Sequence, residues 1–396
     1  MSKFDFDKVY DRKGTDSFKW DGTKLYYGAD DCIGMWTADM DFACAPPIVN
    51  NLIERAKYPI YGYTLRSDEF VDSVYNWLKN RHTSKYLKKE WLTFAPPGVI
   101  YAIYTMINIL TDPGDNILIN LPNYDPLFDV IKENKRNLVV SSLVLKNGRY
   151  EVDFDHMEKV IKETSPKLYI MSSPHNPTGR VWELDELKKI SELCLKYNVY
   201  MIVDEIHADF VPKNYKHIPF TSLGEDVSKQ SMILYSANKG FNLGGLQMSS
   251  IVIADDEKRD LFNHQMLIAQ TRLDTVFGLV ATQTAYSDPE CEEWLDAAID
   301  YVEENKNYAK EFIENNIPEL KFYPTEGTYL SWIDCSGLGL KGKDLEKFMI
   351  EKAKVAFCGG YEFGQEGESF VRMTIAVPRP TLVKALKQVA SAVKNR

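Results

Sequence analysis

Leu168-Tyr169-Ile170-Met171-Ser172-Ser173 and Val199-Tyr200-Met201-Ile202-Val203-Asp204 are two runs that stay apolar nearly throughout. A strand with one face in water alternates apolar and polar residues; these do not, so both faces are covered. Between them Leu184, Leu187, Ile190 and Leu193 mark one side of a helix. Buried strand, helix and buried strand together predict an α/β fold, a mostly parallel sheet with helices on both faces. Working outward, Leu92-Thr93-Phe94-Ala95 precedes Pro96-Pro97-Gly98 and a helix predicted over Val99–Leu110. Asp112-Pro113-Gly114-Asp115 stops that helix. Asn116–Ile119, Leu138–Val140, Met232–Tyr235 and Met248–Ile253 read as further strands.

The character changes near residue 290. A long charged helix, Glu290–Asn315, leads into Gly327-Thr328-Tyr329-Leu330-Ser331-Trp332-Ile333 and then a final helix ending at Lys394. Residues 1–34 lack periodicity and read as an arm. The expected division is an arm with part of a small domain (1–48), a large domain (49–290) and a smaller α+β domain (291–396). With 396 residues the chain can bury a large core. A net charge of −10 argues against nucleic acid or an anionic membrane as partner. Six cysteines form no CxxC pair, and no run of about 18 apolar residues occurs. Reduced thiols and the absence of an apolar signal core predict a cytoplasmic protein.

The ends of the strands carry the chemistry. Pro174-His175-Asn176-Pro177-Thr178-Gly179-Arg180 follows the first run, and Asp204 closes the second. Ligands of open α/β sheets bind at such carboxyl ends. Asn176 could donate an amide N–H there, and Asp204, a carboxylate in a buried place, needs a partner. After the third run comes Ser236-Ala237-Asn238-Lys239-Gly240-Phe241-Asn242-Leu243-Gly244-Gly245-Leu246. Lysine forms imines, and burial lowers its pKa enough to expose the free amine. Together the three residues read as a pyridoxal-phosphate (PLP) site: Lys239 as the Schiff-base lysine, Asp204 on the pyridinium N–H, Asn176 on the phenolate oxygen. Each has an ordinary alternative: a surface lysine in a turn, the N-cap of a following segment, a turn cap.

These stretches, with Met35-Trp36-Thr37-Ala38-Asp39-Met40-Asp41-Phe42, Tyr61-Gly62-Tyr63-Thr64, Asp204-Glu205-Ile206-His207-Ala208-Asp209 and Glu326-Gly327-Thr328-Tyr329-Leu330, resemble the fold-type I PLP enzymes. The match is to the class I/II aminotransferase superfamily, and within it to the MalY/PatB-type cystathionine β-lyases, which are C–S lyases. The resemblance implies an aspartate aminotransferase-like large domain built on a seven-stranded sheet. It implies that Tyr124 stacks on the cofactor ring, while Gly98, Val99 and Ile100 offer N–H groups to the phosphate with the Ser236 hydroxyl. Arg372, an arginine inside the apolar Phe370-Val371-Arg372-Met373, would grip the substrate α-carboxylate, with Ala38 and Asn176 also against substrate. Tyr63 would reach the phosphate of a neighbouring subunit, making a homodimer part of the site.

Two positions depart from the superfamily pattern. His207 stands where many aminotransferases have tyrosine, which tilts toward the lyase branch; a satisfied core histidine is the ordinary alternative. Gln247 stands where an arginine or lysine often holds phosphate. The expected activity is PLP-dependent cleavage of cystathionine or related cysteine thioethers to thiol, pyruvate and ammonia. An aminotransferase is the alternative, and a PLP-fold regulator acting through protein contacts is a second. Gly337-Leu338-Gly339-Leu340-Lys341-Gly342 fits G-x-G-x-x-G but lies outside the βαβ units, so it reads as a tight turn.

Overall fold

The computed structural model describes residues 3–396. Its main sheet has seven strands in the order Leu92–Phe94, Ser250–Ile253, Ser231–Tyr235, Tyr200–Asp204, Leu168–Ser172, Asn116–Ile119, Asn137–Val140. All neighbouring pairs are parallel except those of Ser250–Ile253, which runs against both its neighbours. Alternate residues of the same strands feed two cores, which is why the runs show no polar alternation. Ile117, Ile170, Ile202, Leu234 and Ile251 face one core with Ala102, Ile103 and Met106 of the helix Val99–Leu110. Leu118, Tyr169, Met201, Ile233 and Val252 face the other, with Trp77, Trp294 and Leu330.

The second core continues into a four-stranded antiparallel sheet, ordered Lys321–Phe322, Leu330–Asp334, Phe370–Thr374, Cys358–Gly359. The long helix runs Pro289–Asn316 and the last one Arg379–Lys394. Residues 337–342 form a tight turn, with Gly339 at φ +64° and a helix opening at Gly342. Among the described residues no helix is long and apolar enough to cross a membrane.

The N-terminal stretch is tied down by charge as well as by pairing. Ile33–Gly34 runs parallel to Val355–Ala356. Lys19, fully buried, donates to Asp41 at 2.9 Å and to the Asp39 carbonyl at 2.9 Å. Arg12 bridges both carboxylates, at 2.7 Å to Asp39 and 2.8 Å to Asp41. Two arm cations thus fix the segment 35–42 across the edge of the main sheet.

Candidate active site

Parallel pairing sets neighbouring strand ends side by side: Ser172 pairs with Asp204, and Asp204 with Leu234. The loops after these strands therefore converge on one edge, where a cavity of about 230 Å³ opens. Of the residues singled out in the sequence, Gly98, Val99, Ile100, Tyr124 and Asn176 line it. Ala38, Asp204, His207, Ser236 and Lys239 line it too. Arg372 adjoins the wall through Asn176. Tyr63 is not part of this chain's cavity; it is 95% exposed.

Lys239 sits in a short helix, Ala237–Gly240, capped by the Ser236 hydroxyl accepting from the Asn238 N–H at 3.1 Å. Its Nζ donates to the Ala38 carbonyl at 2.9 Å and meets no carboxylate within ion-pairing distance. Protein closes around the amine although one face of the residue stays open to the cavity. Burial lowers its pKa to about 8, and the Arg372 charge pushes the same way. A fraction of neutral, nucleophilic amine is thereby present near neutral pH.

Asp204 is buried, with Oδ1 accepting from the Ile206 N–H at 3.1 Å. Among the described residues no cation pairs with it, and burial raises its carboxyl to about 6, opposed by the Ile206 N–H and then by the Lys239 charge. An N–H⁺ group facing it would restore the carboxylate. His207 has a buried Nδ1 without a partner, and burial plus the Lys239 and Arg372 charges depress its pKa to about 3. It is a neutral ring. Burial holds Tyr124 protonated, raising its phenol to about 12.

Arg372 projects from the strand Phe370–Thr374 and is only 4% exposed. It donates to Asn176 Oδ1 at 3.1 Å and to the Trp36 carbonyl at 2.9 Å, lies 4.9 Å over the Phe363 ring, and leaves Nε unpartnered. No carboxylate pairs with it among the described residues. A buried cation normally has an anion; this one has none, and its Nε is buried without a partner. A guanidinium has only donors, so Asn176 must turn its oxygen toward it. The Asn176 Nδ2 donor is then left for the cavity side.

The anion end of the cavity is built by the helix Val99–Leu110. Its N-cap Gly98 has φ +108° and ψ 177°, a conformation open to glycine alone, although an added Cβ would meet nothing within 4 Å. Conformation, not space, demands the glycine. The first N–H groups beyond it have no intrahelical partner, which suits a phosphate.

These features fit PLP: an amine for its aldehyde, a carboxylate for its ring nitrogen, an amide for its ring oxygen, a helix N-terminus for its phosphate. Several groups in or beside the cavity act in ways their residue type does not announce. Gln247, in the left-handed region at φ +40°, faces the cavity in the place expected to lack a basic side chain. The backbone carbonyls of Ala38 and Trp36 hold Lys239 and Arg372, and a carbonyl leaves no trace in a residue's identity. The Tyr329 hydroxyl, which donates to the Ala38 carbonyl at 3.1 Å, had a motif to point to it but no assigned role.

The family described as aminotransferase class I and II matches residues 31–389. The chain belongs to that family. Within it, cystathionine β-lyase PatB of Bacillus subtilis (strain 168) is 36% identical over 98% of this chain and 99% of its own. Cystalysin of Treponema denticola, solved with a PLP cofactor, superposes with TM-score 0.94 at 33% identity, covering 99% of each chain. A PLP-bound chain of Clostridium difficile 630, named provisionally as an aminotransferase, reaches TM-score 0.95 at 41% identity over 98% of this chain and 100% of its own. The class I and II family thus includes both lyase and aminotransferase names among this chain's neighbours, as its sequence motifs had suggested.

Proposed function

We propose that this protein is a PLP-dependent carbon–sulfur β-lyase that cleaves cystathionine or related cysteine thioethers to a thiol, pyruvate and ammonia. The observation that carries the reading is the buried, anion-free Arg372 guanidinium held by Asn176 at the wall of the Lys239 cavity. That pairing is what an α-amino acid needs: a fork for its carboxylate beside an amine that handles the bond at Cα. PLP, when bound, supplies the electron sink that stabilises negative charge at Cα. The chain's own residues do the rest. Arg372 binds and orients the α-carboxylate, and Asn176 fixes the angle between that group and the ring. Asp204 keeps a proton on the ring nitrogen. The Lys239 amine takes the Cα proton, after which a thiolate leaves from Cβ. The neutral His207 sets no charge against the ring.

A homodimer completes this reading. Val49 and Ile53 of the helix Pro46–Lys57 are exposed, as are Tyr58, Ile60, Tyr61, Tyr63 and Leu65 in the loop beyond it. Exposed apolar side chains gathered on one helix and the loop after it suit an interface. Tyr63 on that loop would reach the partner's phosphate end. Six unbridged cysteines suit a reducing cytoplasm. The division into large and small domains remains our reading of the two sheets.

The test is stoichiometric. With excess cystathionine and no oxo acid, the protein is expected to release pyruvate and ammonia over many turnovers with its visible absorbance intact. A halt after one turnover, with the cofactor left in its amine form, would instead make it an aminotransferase.

A further inference from the structure

The loop 326–329 is anchored more firmly than a connecting turn requires. Glu326 is buried and accepts from Arg180 Nε and the Val181 N–H, both at 3.0 Å, and from Arg149 Nε at 2.5 Å. The Gly327 N–H donates to the Gly179 carbonyl, and the Thr328 N–H to the Phe210 carbonyl, each at 2.8 Å. Thr328 is fully buried at φ +62°, the left-handed region that a β-branched residue strongly disfavours. Such strain persists only where surroundings impose it, and it gathers at functional sites.

The strained turn aims Tyr329. Its ring is 1% exposed, edge-on to Phe210 at 5.1 Å and to His207 at 5.9 Å. Its hydroxyl donates to the Ala38 carbonyl at 3.1 Å, and the same oxygen accepts from Lys239 Nζ at 2.9 Å. One backbone oxygen therefore has both lone pairs engaged, one by the tyrosine and one by the lysine amine. The carbonyl is itself held in place, since its neighbours Trp36 and Thr37 accept from Arg372 and Thr374.

Resting on the reading above, we propose that the Ala38 carbonyl, fixed by the Tyr329 hydroxyl, is the dock that orients the Lys239 amine whenever that amine is free. Tyr329 is a positioning residue: it lies behind the cavity lining and works through Ala38. A carbonyl suits the task better than a carboxylate. It accepts one N–H and so aims the nitrogen lone pair, yet brings no negative charge that would hold the amine as ammonium. Asp39, the nearest acid in sequence, is engaged by Arg12 at 2.7 Å. The amine needs this aim twice: when its lone pair attacks the cofactor aldehyde, and when it takes the Cα proton while the C–H electron pair stays with carbon.

Tyr329→Phe removes the hydroxyl and keeps the ring. Cofactor-free protein is mixed with PLP, and the visible absorbance is followed in time. The variant should take up the cofactor roughly tenfold more slowly, as expected for one lost orienting hydrogen bond, yet reach the same final occupancy and the same melting temperature. With cystathionine deuterated at Cα, its isotope effect on kcat should rise above that of the unaltered protein while KM stays put. Equal uptake rates and equal isotope effects would overturn the proposal. So would lowered occupancy or melting temperature, because Tyr329 would then be a plain structural residue. Lys239→Ala serves as the control for the function itself: if unaltered protein and Lys239→Ala take up PLP alike, the cofactor reading fails before the dock comes into question.

Discussion

Lys239 and Arg372 are two cations that the fold buries while giving neither an anion, and the pH behaviour of the site follows from that. The amine titrates at about 8, lowered by burial and then by Arg372, with Asp39 and Asp204 pulling the other way. Neutral amine is the species that attacks a carbonyl, so its fraction grows as pH rises. Uptake of PLP by cofactor-free protein should therefore accelerate through about pH 8 and level off above it; an uptake rate still climbing steeply at pH 10 would mean an unperturbed lysine. Arg372→Ala removes a repelling charge, so the same midpoint should move upward. The variant should also lose its carboxylate fork. A lost contact to a desolvated charge costs about 2–5 kcal/mol, roughly thirtyfold to several-thousandfold in KM. PLP loading should persist, and unchanged steady-state kinetics would remove Arg372 from the site. Each of Lys239, Asp204 and Asn176 has an ordinary use when taken alone; it is their occurrence together at successive strand ends that the sequence displays. Tyr329 stayed without a role because it is one of 23 tyrosines and its target is a backbone oxygen.

Among the elements, the Gly98 turn is the one whose geometry bears most directly on cofactor retention. At φ +108° an alanine would be strained although it meets no neighbour, at a cost of about 1–3 kcal/mol. Gly98→Ala should lower thermal stability by that order and, because relief would come from turning the first helical N–H groups, weaken PLP affinity as well. Titration of cofactor-free variant with PLP reads the second effect; full affinity would show that those N–H groups are not the phosphate site. The helix behind this turn was readable to the residue, as Val99–Leu110, since proline, glycine and aspartate punctuate both ends. The sheet's parallel core was readable from unbroken apolar runs. The reversed direction of Ser250–Ile253 was not, because a strand buried on both faces has the same composition whichever way it runs. Nor was the pairing of Ile33–Gly34 with Val355–Ala356, since two residues carry no period.

At the scale of the molecule, exposed apolar side chains gather on the helix Pro46–Lys57 and the loop that carries Tyr63. Sedimentation at micromolar concentration should give twice the chain mass, and Tyr63→Ala should weaken PLP affinity while leaving the dimer intact. A monomer that binds PLP as tightly as the unaltered protein would place the whole site within one chain. The site also draws on both extremes of the sequence. Ala38 receives Lys239 from 201 positions downstream, and Trp36 receives Arg372 from 336 positions downstream. Contacts so distant in sequence form late, after long stretches of chain have closed on one another. On the ribosome this sets an order of events. Lys239 precedes Arg372 by 133 residues, so a growing chain carries the amine well before it carries the guanidinium. Until then the segment 35–42 has no strand Phe370–Thr374 to hold its Trp36 and Thr37 carbonyls, so the lysine is made long before the backbone that aims it can be set.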